Sequence, residues 1–475
     1  MRNRCLFMSA LGLVACVDLV HSKDEEANKA DTITLEDAII AAYNGNIEWI
    51  NSKIDKDITD EEFQQAKLAF LPSINAVMNL SRTGNEGRDL QETRKNTGTD
   101  FGVEVKQNIF HGFSTLNKVD GAQHESNAAV HLLRSKEQKL IVDVFEKYAD
   151  VWFLRTKVSA STKMEENMQK LLSSQNSNLE VGTVTPAEVA DASAKHQMAI
   201  YDRIKAESEL FSAESEFEKI TGLKVKKHIA LPEIKLDLPK TLDILVSETL
   251  KSNSKILYSR LKARAAEKEL DVAKGELCPN VELDLKATRR LTNTTTENTV
   301  NRSHNHYEAS LQIRVPIFSN DHGNNSYSAI AIAGKKAQKA SFEAEDAVRE
   351  AKEGCVVNWN DYVAANASIR STRSAVQSAE LSNESNIEEA NLGVKSNTDI
   401  WEKENTLLKS RIGLAESKKQ KIVSGIKLLS LTGNLNVRSV LDSIRPAKSA
   451  TSGKTTKSKP AINKKSKSNT KAPKQ

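Results

Sequence analysis

The chain has 475 residues, 28% of them charged and 39% hydrophobic, with only 19 Gly and 9 Pro. Its mean hydropathy of −0.49, and the lack of any apolar run near the roughly 18 to 20 residues a spanning helix needs after the first twenty, exclude a bundle of lipid-embedded helices. If this chain crosses a bilayer it must do so with closed β-strands, because in lipid only helices and barrels satisfy every backbone group.

The net charge of +5 is unevenly placed. Nine Lys and no acid lie between Lys448 and Lys474, and residues 1–22 carry Arg2 and Arg4 against Asp18, so the body over 23–447 is slightly acidic at −5. That distribution argues against nucleic acid as a partner. The tail over 437–475 is rich in Lys, Ser, Thr, Ala and Pro and reads as a disordered, solvated appendage.

At the N-terminus, Arg2 and Arg4 precede an apolar stretch from Leu6 to Ala15 and a Val20-His21-Ser22 cleavage site, the pattern of an export signal over 1–22. Leu13-Val14-Ala15-Cys16 also resembles a lipoprotein box in which Cys16 would be acylated, although the Val-His-Ser site has the usual spacing. Only Cys278 and Cys355 survive ordinary cleavage, so the exported chain is no disulfide scaffold. Whether those two pair is left open.

After a lead over 23–33, the chain repeats itself. Thr34-Leu35 matches Thr241-Leu242, Asn46 matches Asn253, Pro72 matches Pro279 and Trp152 matches Trp359, all at one offset; Gly182 matches Gly393 and Thr221-Gly222 matches Thr432-Gly433 at a slightly larger one. The reading is two tandem copies, 34–226 and 241–436, joined by a Pro-containing linker over 227–240.

Each copy opens with a helical stretch, such as Leu35 to Leu71, that stops at a Pro. The period then changes to two. Ile74, Ala76, Met78 and Leu80 alternate with mostly polar neighbours, followed by Phe101, Val103 and Val105; the second copy has Val281, Leu283, Leu285 and Ala287, then Tyr307, Ala309, Leu311, Ile313 and Val315. These predict four strands of about nine residues, the length a tilted strand needs to cross a bilayer. Long Pro-free runs from about Ser114 to Gln175 and from about Asn324 to Ala390 predict rods of roughly 90 Å. Ile141, Phe145, Tyr148 and Trp152, and Cys355, Trp359, Tyr362, Asn366 and Ile369, have coiled-coil spacing. The rods turn near Gly182 and Gly393 and return as helices of about 35 residues ending at Gly222 and Gly433.

The fold class is therefore mainly α with a small β part: long antiparallel coiled-coil helices with four strands at one end. Four strands cannot close a barrel, since the smallest membrane barrels have about eight. Several chains must combine to form a cylinder continued by a helical tube, a conduit with the polar strand face inside. A non-transport reading, an exported coiled-coil scaffold or adhesin, fits the rods and the tail but not the alternating strands.

The Leu71-Pro72-Ser73-Ile74-Asn75 opening of the first strand, the exits Gln107-Asn108-Ile109-Phe110 and Val315-Pro316-Ile317-Phe318, the Val181-Gly182-Thr183 turn and the helix end Leu431-Thr432-Gly433 resemble the TolC family of outer-membrane efflux proteins. The resemblance runs from about Thr34 to Asn436. It implies a homotrimer in outer-membrane lipid with a 12-stranded barrel and a periplasmic helical tunnel, the exit duct of a tripartite efflux or type I secretion system. A periplasmic adaptor and an inner-membrane pump of ABC or RND type are the implied partners.

In both copies an acid follows the turn Gly by six residues and a second acid follows three later: Glu188 and Asp191, then Asp399 and Glu402. Positions i and i+3 share a helix face. The resemblance places Asp399 and Glu402 at the periplasmic mouth, six carboxylates in a trimer, with Lys395 as a latch candidate; Ala390 stands where the family has a Tyr. The implied adaptor-docking tips are Val181-Gly182-Thr183 and Leu392-Gly393-Val394, the latter departing from the family at both flanks.

No catalytic, metal or cofactor chemistry is read from the chain. His304-Asn305-His306 is placed in a polar loop as a solvated pair, and His124-Glu125 with His131 lacks the histidine spacing of a zinc protease. No phosphate-binding loop or nucleophile elbow occurs. Energy for transport must come from a partner.

Overall fold

The computed structural model describes residues 32–85, 94–225, 228–231, 238–295, 300–317, 320–321, 324–392, 394–438 and 440. The signal segment with Cys16, most of the lead, the C-terminal lysines and Gly393 lie outside the described residues.

In chain order the elements are β1 (Thr32–Ile33), α1 (Leu35–Gly45), α2 (Ile47–Leu68), β2 (Ser73–Asn85), β3 (Arg94–His111), α3 (Ser114–Glu180) and α4 (Pro186–Thr221). Then come β4 (His228–Ile229), α5 (Leu242–Ser252), α6 (Ser254–Gly275), β5 (Asn280–Thr295), β6 (Val300–Arg314), the short pair β7 (Asn320–Asp321) and β8 (Asn324–Asn325), α7 (Ser326–Asn391) and α8 (Asn397–Leu431). The paired elements have matching lengths: α1 and α5 have 11 residues each, α2 and α6 have 22 each, α3 has 67 against 66 for α7, and α4 has 36 against 35 for α8. At 1.5 Å per residue the two longest are rods of about 100 Å.

The helical stretch from Leu35 to Leu71 is two helices, broken at Asn46. Its extended backbone ends α1, and its Oδ1 caps α2 by accepting from Trp49 N at 3.0 Å. Its Nδ2 donates to Ile220 O, 3.1 Å away at the end of α4. Asn253 repeats all of this: Oδ1 accepts from Lys255 N (3.0 Å) and Ile256 N (3.2 Å), and Nδ2 donates to Leu431 O at 3.0 Å. One amide thus satisfies orphan groups at a helix start and at a distant helix end.

The four longer strands form one antiparallel sheet in the order β2-β3-β5-β6. They run 13, 18, 16 and 15 residues rather than nine, because ladder pairing continues through polar residues beyond the alternating apolar segment. The register aligns the apolar positions in rows, Ile74–Val105–Leu285–Ala309 and Ala76–Val103–Ala287–Tyr307, on one face. The other face carries Asp100, Glu104, Lys286 and Arg290, with Arg290 bonded to Asp100 at 2.6 and 2.8 Å. His304-Asn305-His306 is not in a loop: it lies inside β6, with both imidazoles at polar-face positions two residues apart.

Beneath the sheet the helices keep the same row, α2-α3-α6-α7, and further down it becomes α4-α3-α8-α7. The main core sits where α1 packs on α3 and α4. Ile141, Val144, Phe145 and Tyr148 are buried there against Ile39 and Phe217, while Trp152 is half-buried. The Tyr148 hydroxyl lies 3.1 Å from Ile33 O and 2.9 Å from Ala230 O, beside the parallel β1–β4 pair, and burial pushes its pKa up to about 12. In the second seam Cys355 is buried and Trp359, Tyr362, Asn366 and Ile369 are half-buried. Cys278 and Cys355 are both free thiols. The ordered chain passes Asn436, since Val440 is buried in the main core. Among the described residues no helix is long and apolar enough to cross a membrane.

Candidate functional site

The far ends of the rods form two tips. In the first, Gly182 adopts φ 76° with nothing within 4 Å of where a Cβ would stand, so glycine serves the backbone conformation there and not a close contact. Gly182 N donates to Leu179 O and Thr183 N to Asn178 O, both at 3.0 Å, closing the end of α3. Thr185 then starts α4 through a capping box in which Glu188 Oε2 accepts from Thr185 N at 2.6 Å. In the second tip Val394 N donates to Glu389 O at 2.9 Å, and Ser396 starts α8 through the same device, with Asp399 Oδ2 accepting from Ser396 N at 3.2 Å and from its hydroxyl at 3.3 Å. The acid six residues after each Gly therefore has a local structural duty as the third residue of the returning helix.

The second acid of each pair behaves differently. Asp191 and Glu402, from different tips, both contact Lys195: its Nζ lies 3.1 Å from each carboxylate. The structure thus joins Asp191 to Glu402 through a cation and leaves Glu188 and Asp399 in their caps. The two carboxylates push the Lys195 pKa up through hydrogen bonds and charge. All three side chains are largely exposed, so solvent screens the contact, but it links the two hairpins near their ends. The i, i+4 spacing of Asp191 and Lys195 was visible in the sequence; the link to Glu402 was not.

Deeper in, the tips are held by packing. Trp401 of α8 packs against Met168, Leu171, Ala192 and Ala199. The fully buried Asn167 of α3 donates Nδ2 to Glu404 Oε2 at 3.0 Å and Asn405 Oδ1 at 3.3 Å. Neither Trp401 nor Asn167 is marked by the spacing of the turn motifs.

Lys395 reaches back within its own hairpin, 2.7 Å from Asn386 Oδ1 and 3.2 Å from a Glu389 carboxylate oxygen. That contact holds the Glu389 pKa below its ordinary 4.5. A carboxylate with a lowered folded-state pKa contributes fully above its unfolded value and loses that contribution as pH falls through the folded one. The protection factors of the amides over 386–396, with the intrinsic pH dependence of exchange divided out, are therefore expected to be constant from about pH 8 to about 5 and to fall below about 4.5. Lys395→Gln should remove that acid limb; an unchanged acid limb in the variant would reject the assignment.

Among the described residues no cluster of His, Cys, Asp or Glu has the geometry of a metal site. A sheet with one apolar and one polar face, set on a row of long rods that turn back at two tips, is the architecture of an outer-membrane channel-tunnel protein. The family model described as outer membrane efflux protein matches residues 52–223 and 245–434, and the chain belongs to that family. It is 25% identical over 430 residues to outer membrane efflux protein BepC of Brucella suis biovar 1, covering 90% of this chain and 92% of that one. To outer membrane protein TolC of Escherichia coli K12 it is 23% identical over 413 residues, covering 83% and 81%. Its fold is similar to the Campylobacter jejuni CmeC outer membrane channel, with a TM-score of 0.71 at 14% identity, over 86% of this chain and 88% of that one. The TolC-family resemblance, the fold class and the outer-membrane location read from the sequence are borne out. The protein is an outer-membrane exit duct.

Proposed function

We propose that three copies of this chain form a homotrimer around a closed 12-stranded barrel and a helical tunnel. The observation that carries this is a row with two open sides at every level. β2 and β6 each pair on one side only, and α2, α4 and α7 end the helical rows. Those end helices expose apolar side chains, Ile54 and Ile58 on α2, Phe211 on α4, Phe342 and Val356 on α7, where a neighbouring copy would cover them. The tandem copies 34–226 and 241–436 then give a pseudo-sixfold tunnel wall.

At the periplasmic end Asp399 and Glu402 line an acidic mouth, six carboxylates in the trimer, with Asp191 and Glu188 beside it. Val181, Leu392 and Val394 expose 79%, 79% and 73% of their surface, an apolar tip that suits docking of a periplasmic adaptor, with Gly182 and Thr183 in the first turn. An inner-membrane pump of ABC or RND type supplies the energy, and the duct itself is passive. Asp399→Asn with Glu402→Gln keeps the side-chain shapes. In planar bilayers this pair is expected to lower the cation-over-anion permeability ratio severalfold; an unchanged ratio rejects the mouth assignment.

A further inference from the structure

The apolar face of the sheet contains an arginine, Arg289, that meets no acid among the described residues. The row Met78–Phe101–Arg289–Asn305 follows directly on the Ala76 row, so Arg289 sits among side chains that face lipid. It is exposed, and its Nε donates to the neutral Ser303 Oγ at 3.1 Å. Its neighbour Arg290 points to the other face and is neutralised by Asp100. By strand alternation every acid of the four sheet strands, Asp100, Glu104, Glu282, Asp284 and Glu308, belongs to that other face. Among the described residues the remaining guanidinium donors of Arg289 therefore have no carboxylate to meet.

Height along the strand says where this happens. β5 leaves the helices at Asn280, so Arg289 is eight residues beyond the first apolar position, Val281. At about 3.3 Å per residue and a tilt near 40°, that is roughly 20 Å up an apolar band about 25 Å tall, close to the outer headgroups. Arg82, also exposed, stands on the same face of β2 two rows further out. An arginine in hydrocarbon is unfavourable, and at the level of the headgroups the anion its planar fork can pair with bidentately is a lipid phosphate.

We propose that Arg289, with Ser303, Asn305 and the outlying Arg82, binds a phosphate of the phosphorylated glycolipid that forms the outer leaflet of this membrane. The neutral Ser303 and Asn305 beside the guanidinium supply hydrogen bonds for sugar hydroxyls, which favours a glycolipid over a simple phospholipid. The inference rests on the barrel reading above. In the closed ring β2 of the next copy flanks β6, which brings that copy's Arg82 to the same belt.

Full-length protein in detergent, titrated by native mass spectrometry with a bisphosphorylated diglucosamine lipid, its dephosphorylated form and phosphatidylglycerol, tests this. The phosphorylated glycolipid is expected to be retained over the other two, Arg289→Gln to weaken it about tenfold or more, and Arg290→Gln to leave it unchanged. Equal retention in wild type and Arg289→Gln, an equal loss in Arg290→Gln, or phosphatidylglycerol held as tightly would each overturn the proposal. Pore conductance of the same samples separates the two readings. A wild type without pores overturns the duct and this inference together, whereas intact pores without glycolipid preference overturn the inference alone.

Discussion

Alanine in place of Gly433 is expected to lower the stability of the protein by more than about 3 kcal/mol, while the same change at Gly222 lowers it by only about 1 kcal/mol. Both glycines end a returning helix in the left-handed region, at φ 74° and 72°, so both variants meet the same local strain. The difference lies in what surrounds them. Nothing stands within 4 Å of a Cβ on Gly222, but one on Gly433 would come within 2.3 Å of the Ser252 carbonyl oxygen. That carbonyl belongs to a joint stitched by Ser252 Oγ to Thr432 O at 2.6 Å, Asn253 Nδ2 to Leu431 O, and Arg134 Nη2 to Gly433 O at 2.8 Å. Backing away from the clash strains several of these bonds together. Thermal melting of the detergent-solubilised protein reads the contrast, and equal shifts for the two variants would reject it.

Charge reversal at Lys195 carries the largest functional effect. Lys195→Glu removes the one cation found between Asp191 and Glu402 and puts a third carboxylate in its place. At about 5 Å each like-charged pair repels by nearly 1 kcal/mol even at the dielectric of water, and in the proposed trimer the effect is repeated three times around one axis. The closed-state conductance and the cation preference are both expected to rise severalfold, and Glu402→Lys in the same chain should partly restore them. At 1 M salt, where the screening length falls to about 3 Å, the rise should shrink. A variant indistinguishable from wild type at low salt would show that the Lys195 bridge does not hold the tips.

Much of the architecture is legible in the sequence. The change from a period of two to a period near 3.5 marked strands and rods, because a residue's exposure in either element is set by its own position along the chain. Strand length was misjudged: backbone pairing in β3 runs on past the alternating segment through Lys95, Asn96 and Thr97, and pairing partners leave no periodic trace. For the same reason His304 and His306 read as loop residues. Asn46 and Asn253 stood out only as a matched pair, and their reason is a hydrogen bond to carbonyls 174 and 178 residues away.

The tips divide in the same way. The capping boxes of Thr185 with Glu188 and Ser396 with Asp399 are a local property of a helix start, and they account for an acid standing six residues after each turn Gly. Which carboxylate meets which cation is not local. Lys395 turns back to Asn386 and Glu389 on its own hairpin, and Lys195 crosses to Glu402, 207 residues on. The sequence by itself determined the element types, strands at one end and long rods at the other, since these follow from periodicity. Only the tertiary structure decided the row order, the bridge at Lys195 and the unmatched charge of Arg289, because each depends on distances between segments that the chain brings together only by folding.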